Sequence, residues 1–281
     1  MHPNRLPASV PDGAVLRSAA MSLHDAYART TPFEIAFPDR ERVDALVASV
    51  ANEAAERGMD STVPDAFVAF ASVGAFLGEL QGEEAPRVAL LELGALAFHA
   101  VHFVRAGCPL FLLETAASRD LVTAAPSRNP VPPARAGYVQ LPQHLFWTIG
   151  IEGGAPDSVD GMFWTISSED RLHVLPIVGV RPDRPGFGAL SLPDAPLAHA
   201  ERWLRATIRE RGVDYASVLP GADLDGLYAI ESAGEVFKLL ARFFAYVATT
   251  PTALEAPARA GVGTTGPRPS GLPYTRVRSV A

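Results

Sequence analysis

The sequence has a single cysteine, Cys108, and a single lysine, Lys238, among its 281 residues. One cysteine cannot form a disulfide within the chain, so no disulfide framework holds the fold together. The sequence also contains no Walker A loop, G-x-S-x-G elbow, H-E-x-x-H pair or Cys-x-x-Cys pair. It therefore lacks the short motifs by which many nucleotide-binding, hydrolytic and metal-binding sites are recognised.

Positive charge is scarce, because 24 Lys and Arg residues face 31 Asp and Glu residues, for a formal net charge of −7. This balance argues against broad electrostatic binding to nucleic acid or to an acidic membrane surface. Residues 1–30 also lack the basic start, apolar stretch and cleavage site of a secretory signal. We therefore expect a cytoplasmic protein without a cofactor, whose partner is another protein or a second copy of itself rather than nucleic acid.

One apolar run, 88–113, is long enough to span a bilayer, but it contains Glu92, His99, His102 and Arg105. A charged side chain at mid-membrane costs roughly 2.5 to 3.5 kcal/mol even on lenient insertion scales. The sequence therefore favours a buried core helix here, and a membrane-associated adaptor remains only as a second alternative.

Apolar residues recur at helical spacing through most of the first half of the chain. This spacing predicts helices over 11–30, over 39–57, from Pro64 onwards and over about 87–106, where Gly107 and Pro109 end the last of them. The next stretch, PLFLLETAASRDLV, also favours a helix. We thus expect a flexible N-terminus over 1–10 and a helical region over 11–125.

A proline-rich segment over 126–136 is predicted to be a linker, and the apolar period changes from 3.6 to 2 after it. The short segments that follow, from GYVQLP to FGALSL, predict an antiparallel meander of about four to five strands. A two-residue hairpin loop would pair Ser168 with Arg171 and place Ile166 opposite His173.

Two helices are predicted after the meander, over 194–212 and after the capping box of Ser232 and Glu235. Residues 251–281 have too little apolar content to fold alone, which predicts a disordered, mildly basic tail. The G-x-G-x-x-G at 261–266 is attributed to chance, because neither a strand nor a helix flanks it. The expected fold class is α+β, and the sheet and helices over 137–250 could share one domain with 11–125.

His99 and His102 are the candidate residues for chemistry, because a spacing of three places both rings on one helix face, as a shared metal ion requires. Glu92 lies about 10.5 Å before His99 along the axis, and Cys108 about 9 Å beyond His102, so neither completes a site locally. Because no further ligand lies close to the pair on this helix, buried core histidines are favoured. A metal site or an acid/base centre assisted by Glu92 or Glu114 is the alternative.

Four aromatic residues form two adjacent pairs on adjoining predicted strands: Phe146 with Trp147, and Phe163 with Trp164. One member of each pair must face away from a core that covers a single face of the sheet. Either both faces are covered, or an aromatic patch is exposed to bind a ligand or another protein.

These observations favour a non-catalytic protein-interaction or assembly protein that uses the aromatic sheet surface and the flexible tail. The abundance of arginine and alanine suggests a bacterial origin. The alternative function is an enzyme, of a metal-dependent or acid/base hydrolase type, with its centre near His99 and His102.

Overall fold

The structure, a computed structural model, describes residues 40–56, 58, 87–124, 130–142, 145–148, 157–179, 188–190, 192, 195–197, 228–230, 233–258 and 272–280. Within these ranges lie four α-helices: α1 (Arg40–Glu56), α2 (Arg87–Arg105), α3 (Thr115–Thr123) and α4 (Ala233–Thr249). Helices α1, α2 and α4 confirm predictions made from helical spacing. The predicted helices over 11–30 and from Pro64, and Ser232 of the capping box, lie outside the described residues.

Ten short strands in the described part of the chain form one mixed sheet. They are β1 (Leu110–Leu113), β2 (Ala136–Gln140), β3 (Phe146–Thr148), β4 (Asp157–Ile166), β5 (Arg171–Val178), β6 (Gly188–Ala189), β7 (Ala195–Pro196), β8 (Tyr228–Ile230), β9 (Leu254–Ala258) and β10 (Tyr274–Val277). The main order is β6-β5-β4-β2-β1-β10-β9, while β3 pairs with β4 and β8, and β7 pairs with β5.

The predicted α+β fold with an antiparallel meander is wrong, because the sheet is mixed and the fold is α/β. Strand β1 runs parallel to both β2 and β10, and β3 runs parallel to β8. The error began at PLFLLETAASRDLV, which was predicted to be a helix or a strand, with the helix favoured, but forms both, β1 followed by α3. A short apolar run such as LFLL fits a buried strand and a buried helix equally well, so periodicity could not decide between them. Likewise, Ala195–Pro196 is a strand rather than the start of a helix.

Both faces of the sheet are covered. On one face, α3 and α4 enclose a core around Phe111, Trp164 and Phe243, and Arg242 of α4 donates to the carbonyl of Val122 at 2.6 Å. On the other face, α2 covers a second core around Tyr138 and several smaller apolar residues. Along β1, β2, β4 and β5, side chains alternate between the two cores, as a pleated strand requires.

The tail predicted to be disordered instead supplies two strands and part of the core. A 3-10 turn over Pro251–Ala253 leads into β9, and β10 lies between β1 and β9 in the sheet. Val277 of β10 is fully buried. The sequence Leu-Glu-Ala-Pro-Ala of β9 carries a proline, which is tolerated because β9 ends the main strand order and a proline on an edge strand breaks no ladder.

The apolar run over 88–113 is divided between α2, which ends at Arg105, and β1, which begins at Leu110. None of the helices in the described ranges is long and apolar enough to cross a membrane. The proposed division into domains at 126–136 stays a prediction, although β1 and β2, from the two sides of that segment, are neighbours in the sheet.

Candidate functional site

A histidine cluster lies where α2 crosses β4 and β5. His99 and His102 come from α2, and His173 comes from β5, directly opposite Thr165 of β4. The phenyl ring of Phe98 contacts all three imidazoles, with centroids 5.1, 4.9 and 5.6 Å from His99, His102 and His173. The structure thus places a third imidazole beside the two helix histidines, and a shared chemical role for His99 and His102 stays a prediction.

His173 could not be placed beside the helix histidines from the sequence, because the predicted β4–β5 register differs from the observed one by one residue. Ile166 lies opposite Leu172, and Ser167 bonds to Arg171 through the Ser167 amide at 2.9 Å. The loop therefore has three residues, and Asp170 adopts the left-handed conformation at φ 52 that such loops require. The only sequence signal for His173 was a polar side chain within a mostly apolar strand, and this signal does not indicate which residues His173 contacts.

His99 is the most enclosed member of the cluster, with 4% of its surface exposed. Its Nδ1 lies 3.0 Å from Thr165 Oγ1, which is also buried, and the direction of this hydrogen bond depends on the imidazole tautomer. Burial lowers the pKa of His99 well below its ordinary value, and His173 and His102 lower it further. His99 is therefore neutral at physiological pH.

His102 is only partly buried, but its pKa is also depressed, to about 4. Burial is the main cause, followed by the positive charge of Arg105 and by His173. An imidazole with so low a pKa is a poor general base near neutral pH, because catalytic efficiency is highest when the pKa lies close to the working pH. His99 and His102 are thus neutral, largely enclosed imidazoles rather than charged reactive groups.

The other candidate residues for chemistry are Glu92 and Glu114. Glu92 lies within α2, but its side chain is outside the described part of the structure. Glu114 lies after β1 and pairs with Arg276 at 3.7 Å and with Arg278 at 4.0 Å. In the part of the chain that the structure describes, no three His, Cys, Asp or Glu side chains are placed to hold one metal ion. Cys108 is buried at the end of α2.

The four aromatic candidates for binding are mostly internal. Trp164 and Phe163 are fully buried, Phe146 is 2% exposed, and the indole Nε1 of Trp164 donates to the carbonyl of Ala134 at 3.0 Å. These three side chains pack in the two cores and are not available to a partner. Trp147 on β3 is partly exposed, and a role for it in an interface stays a prediction.

A second cluster, which we name the C-terminal patch, surrounds the end of β10. It consists of Glu114, Tyr246, Glu255, Arg276, Arg278 and Val280. Arg278 Nη2 forms an ion pair with Glu255 Oε1, and Arg276 Nε lies 3.9 Å from Glu255 Oε2. The hydroxyl of Tyr246 donates to the carbonyl of Arg278 at 2.7 Å and accepts from the amide of Val280 at 3.3 Å. The patch therefore combines paired charges with an aromatic and an aliphatic side chain.

The patch is exposed although its backbone is fixed. The Arg276 and Arg278 side chains are 38% and 50% exposed, and Val280 is 48% exposed. Below them, the amide of Glu114 bonds to the carbonyl of Val277 at 3.0 Å, and the amide of Arg278 bonds to the carbonyl of Ala253 at 2.9 Å. Two neighbouring segments thus hold the backbone that presents these side chains.

No family model matches the chain. No curated protein matches it either. Among solved structures, it is similar to the crystal structure of AcrVA2, with a TM-score of 0.43 and 11% identity over 92% of this chain and 83% of that chain. That likeness is too weak to support a conclusion about fold or function, so the functional argument depends on the two clusters themselves.

The depressed pKa of His102 predicts that the protein loses stability on acidification. Above pH 6.5 His102 is neutral in both the folded and the unfolded chain, while below it the unfolded chain, with a pKa near 6.5, takes up the proton first. Between pH 7 and pH 5, His102 alone should lower the free energy of unfolding by about 2 kcal/mol. Urea unfolding at both pH values would measure this loss. In His102→Gln, the loss of unfolding free energy between pH 7 and pH 5 should be smaller by that amount. An equal loss in the wild type and the variant would contradict the depressed pKa of His102.

Proposed function

We propose that this chain is a non-catalytic protein-binding protein and that the C-terminal patch binds its partner. The observation that carries the proposal is the exposure of Arg276, Arg278 and Val280 beside Tyr246, on a backbone fixed by the sheet. Arginine and tyrosine are enriched among the residues that dominate binding energy at protein interfaces. Two arginines of the tail that was predicted to be flexible, Arg276 and Arg278, thus lie on an ordered surface.

The ordered backbone favours binding by reducing its entropic cost. A flexible tail must lose conformational freedom when it binds, whereas a strand within a sheet has lost that freedom on folding. Strand β10 pairs with β1 on one side and with β9 on the other. The patch is therefore preorganised for a partner that offers complementary charge and an apolar contact.

The ion pairs of the patch contribute little to the stability of the fold itself. Exposed pairs between arginine and a carboxylate contribute about 0 to 1 kcal/mol, and the Glu114 and Glu255 side chains are each 37% exposed. Removing the two arginines should therefore leave the fold intact. Loss of binding in such a variant would report on the surface rather than on unfolding.

The test is affinity capture with the full chain in an extract of the cells that naturally produce it. Arg276→Ala/Arg278→Ala should reduce recovery of the partner by about tenfold or more, because truncation of a central arginine typically costs more than 1 to 2 kcal/mol. Arg135→Ala is the matched control, since Arg135 is exposed and forms an ion pair with Asp170 at the hairpin between β4 and β5. Equal recovery with all three proteins, or a monomer that retains no partner, would refute the proposal.

A catalytic function near His99 has one observation in its favour. The Thr165 hydroxyl lies 3.0 Å from His99 Nδ1, which is the distance at which an imidazole activates a nucleophile. Both residues are almost completely buried, so a substrate could reach them only if α2 moved away. An activity lost in both His99→Ala and Thr165→Val, with helix content unchanged, would favour this second function over the first.

A further inference from the structure

The contact between α2 and the sheet concentrates groups that become positive on acidification. His99 and His102 of α2 face β4 and β5, and His173 of β5 influences both of them. The charged group that acts on His102 from its own helix is Arg105, which is also basic. Protonation of any one histidine therefore makes protonation of the others less favourable.

The described groups on the elements around the cluster are mostly uncharged or basic, while Glu92 of α2 has its side chain outside the described residues. Strand β4 presents Thr165 and Phe163, β5 presents Arg171 in addition to His173, and β6 consists of Gly188 and Ala189. Strand β2 presents Tyr138, and the same core contains Cys108. From α1, the described residue packed on this core is Val47, while Glu41 and Asp44 are exposed.

The two faces of the sheet differ in this respect. The core under α3 and α4 contains no histidine among its described members, whereas the core under α2 adjoins all three histidines of the cluster. We propose that His99 and His102, which lie beside His173, form an acid-sensitive latch, which holds α2 on the sheet while these two imidazoles are neutral and releases it when they are protonated. The α3/α4 face should remain packed after this release.

Release would change what the protein presents to its surroundings. The face of α2 that packs on the sheet includes Leu96, Ala100 and Phe103, and it covers Phe163 and Tyr138. Opening the latch would expose these apolar side chains to solvent and separate His99 from Thr165. Acidification would thus create an apolar surface that is absent at neutral pH. This device is independent of the function proposed for the C-terminal patch.

Hydrogen–deuterium exchange of the full chain at pH 7 and pH 5, corrected for intrinsic exchange rates, tests the latch. Peptides from α2 should lose protection at pH 5, while peptides from α4 keep theirs and serve as the internal control. If opening exposes His102 fully, its change in pKa alone shifts the opening equilibrium by about 20-fold between these pH values. In His102→Gln, the pH-dependent loss of α2 protection should be smaller by that factor.

Two results would overturn the proposal: equal loss of protection in α2 and α4, or the same pH dependence in the wild type and in His102→Gln. If that variant does not keep α4 protected at pH 7, His173→Gln takes its place with the same expected direction. An NMR titration of the wild-type imidazoles needs no variant. Resonances of the cluster that titrate near pH 6.5 while α2 stays protected would equally refute the latch.

Discussion

Replacing Val277 by aspartate should unfold the protein under native conditions. Val277 is fully buried in β10, where it contacts the core under α3 and α4, and its carbonyl accepts from the amide of Glu114. A carboxylate at this position would be shielded from water, so it must lose its hydration or become protonated on folding. Either change lowers the free energy of unfolding by about 4 kcal/mol or more. That loss is comparable to the entire stability of many domains of ordinary size.

Val280→Asp is the matched control, because it makes the same chemical change three residues later at a position that is 48% exposed. It should alter the free energy of unfolding by less than about 0.5 kcal/mol. Circular dichroism and urea titration of both variants provide the comparison. If Val277→Asp were as stable as Val280→Asp, β10 would not be part of the folded sheet, and the C-terminal patch would lose its ordered backbone.

The role of β10 could not be predicted from the tail sequence, because the reason for its order lies elsewhere in the chain. Only Val277 of its four residues is buried, so the strand has almost no apolar pattern of its own. Its backbone hydrogen bonds are completed by β1 and β9, and β1 is about 160 residues away in sequence. Composition measures whether a segment can fold alone, and β10 never needs to do so.

The histidine cluster was half predictable, for a related reason. A spacing of three residues on a helix is local geometry, and it predicts that His99 and His102 lie near one face of α2. The third member depends on the pairing of β4 with β5, which the left-handed Asp170 shifts by one residue in a loop without glycine. Burial of Phe163 and Trp164 on opposite faces was likewise open, because alternation alone does not show whether helices cover one face or both.

Gly137→Ala should destabilise the protein by about 3 kcal/mol, although it adds only one methyl group. Gly137 lies directly opposite Trp164 in the β2–β4 pair, and the indole ring packs over the glycine. An added Cβ would overlap the six-membered ring of Trp164 and lie 2.9 Å from its Cε2. The ring cannot move aside easily, because it also contacts Phe111, Phe243 and Phe244 and donates a hydrogen bond to Ala134. Chemical denaturation measures the effect.

Gly107→Ala separates this overlap from the ordinary cost of replacing a glycine. Gly107 has φ 82 but has no atom within 4 Å of an added Cβ, so its replacement should cost only about 1 kcal/mol of backbone strain.

Combining Gly137→Ala with Trp164→Leu provides the second comparison, since the smaller side chain removes the ring that the methyl group meets. The double variant should be more stable than the sum of the two single effects predicts, by about 1 kcal/mol or more. If the two changes in unfolding free energy simply add, Gly137 is required for its backbone conformation rather than for the close approach of Trp164. The aromatic core would then tolerate a displaced indole.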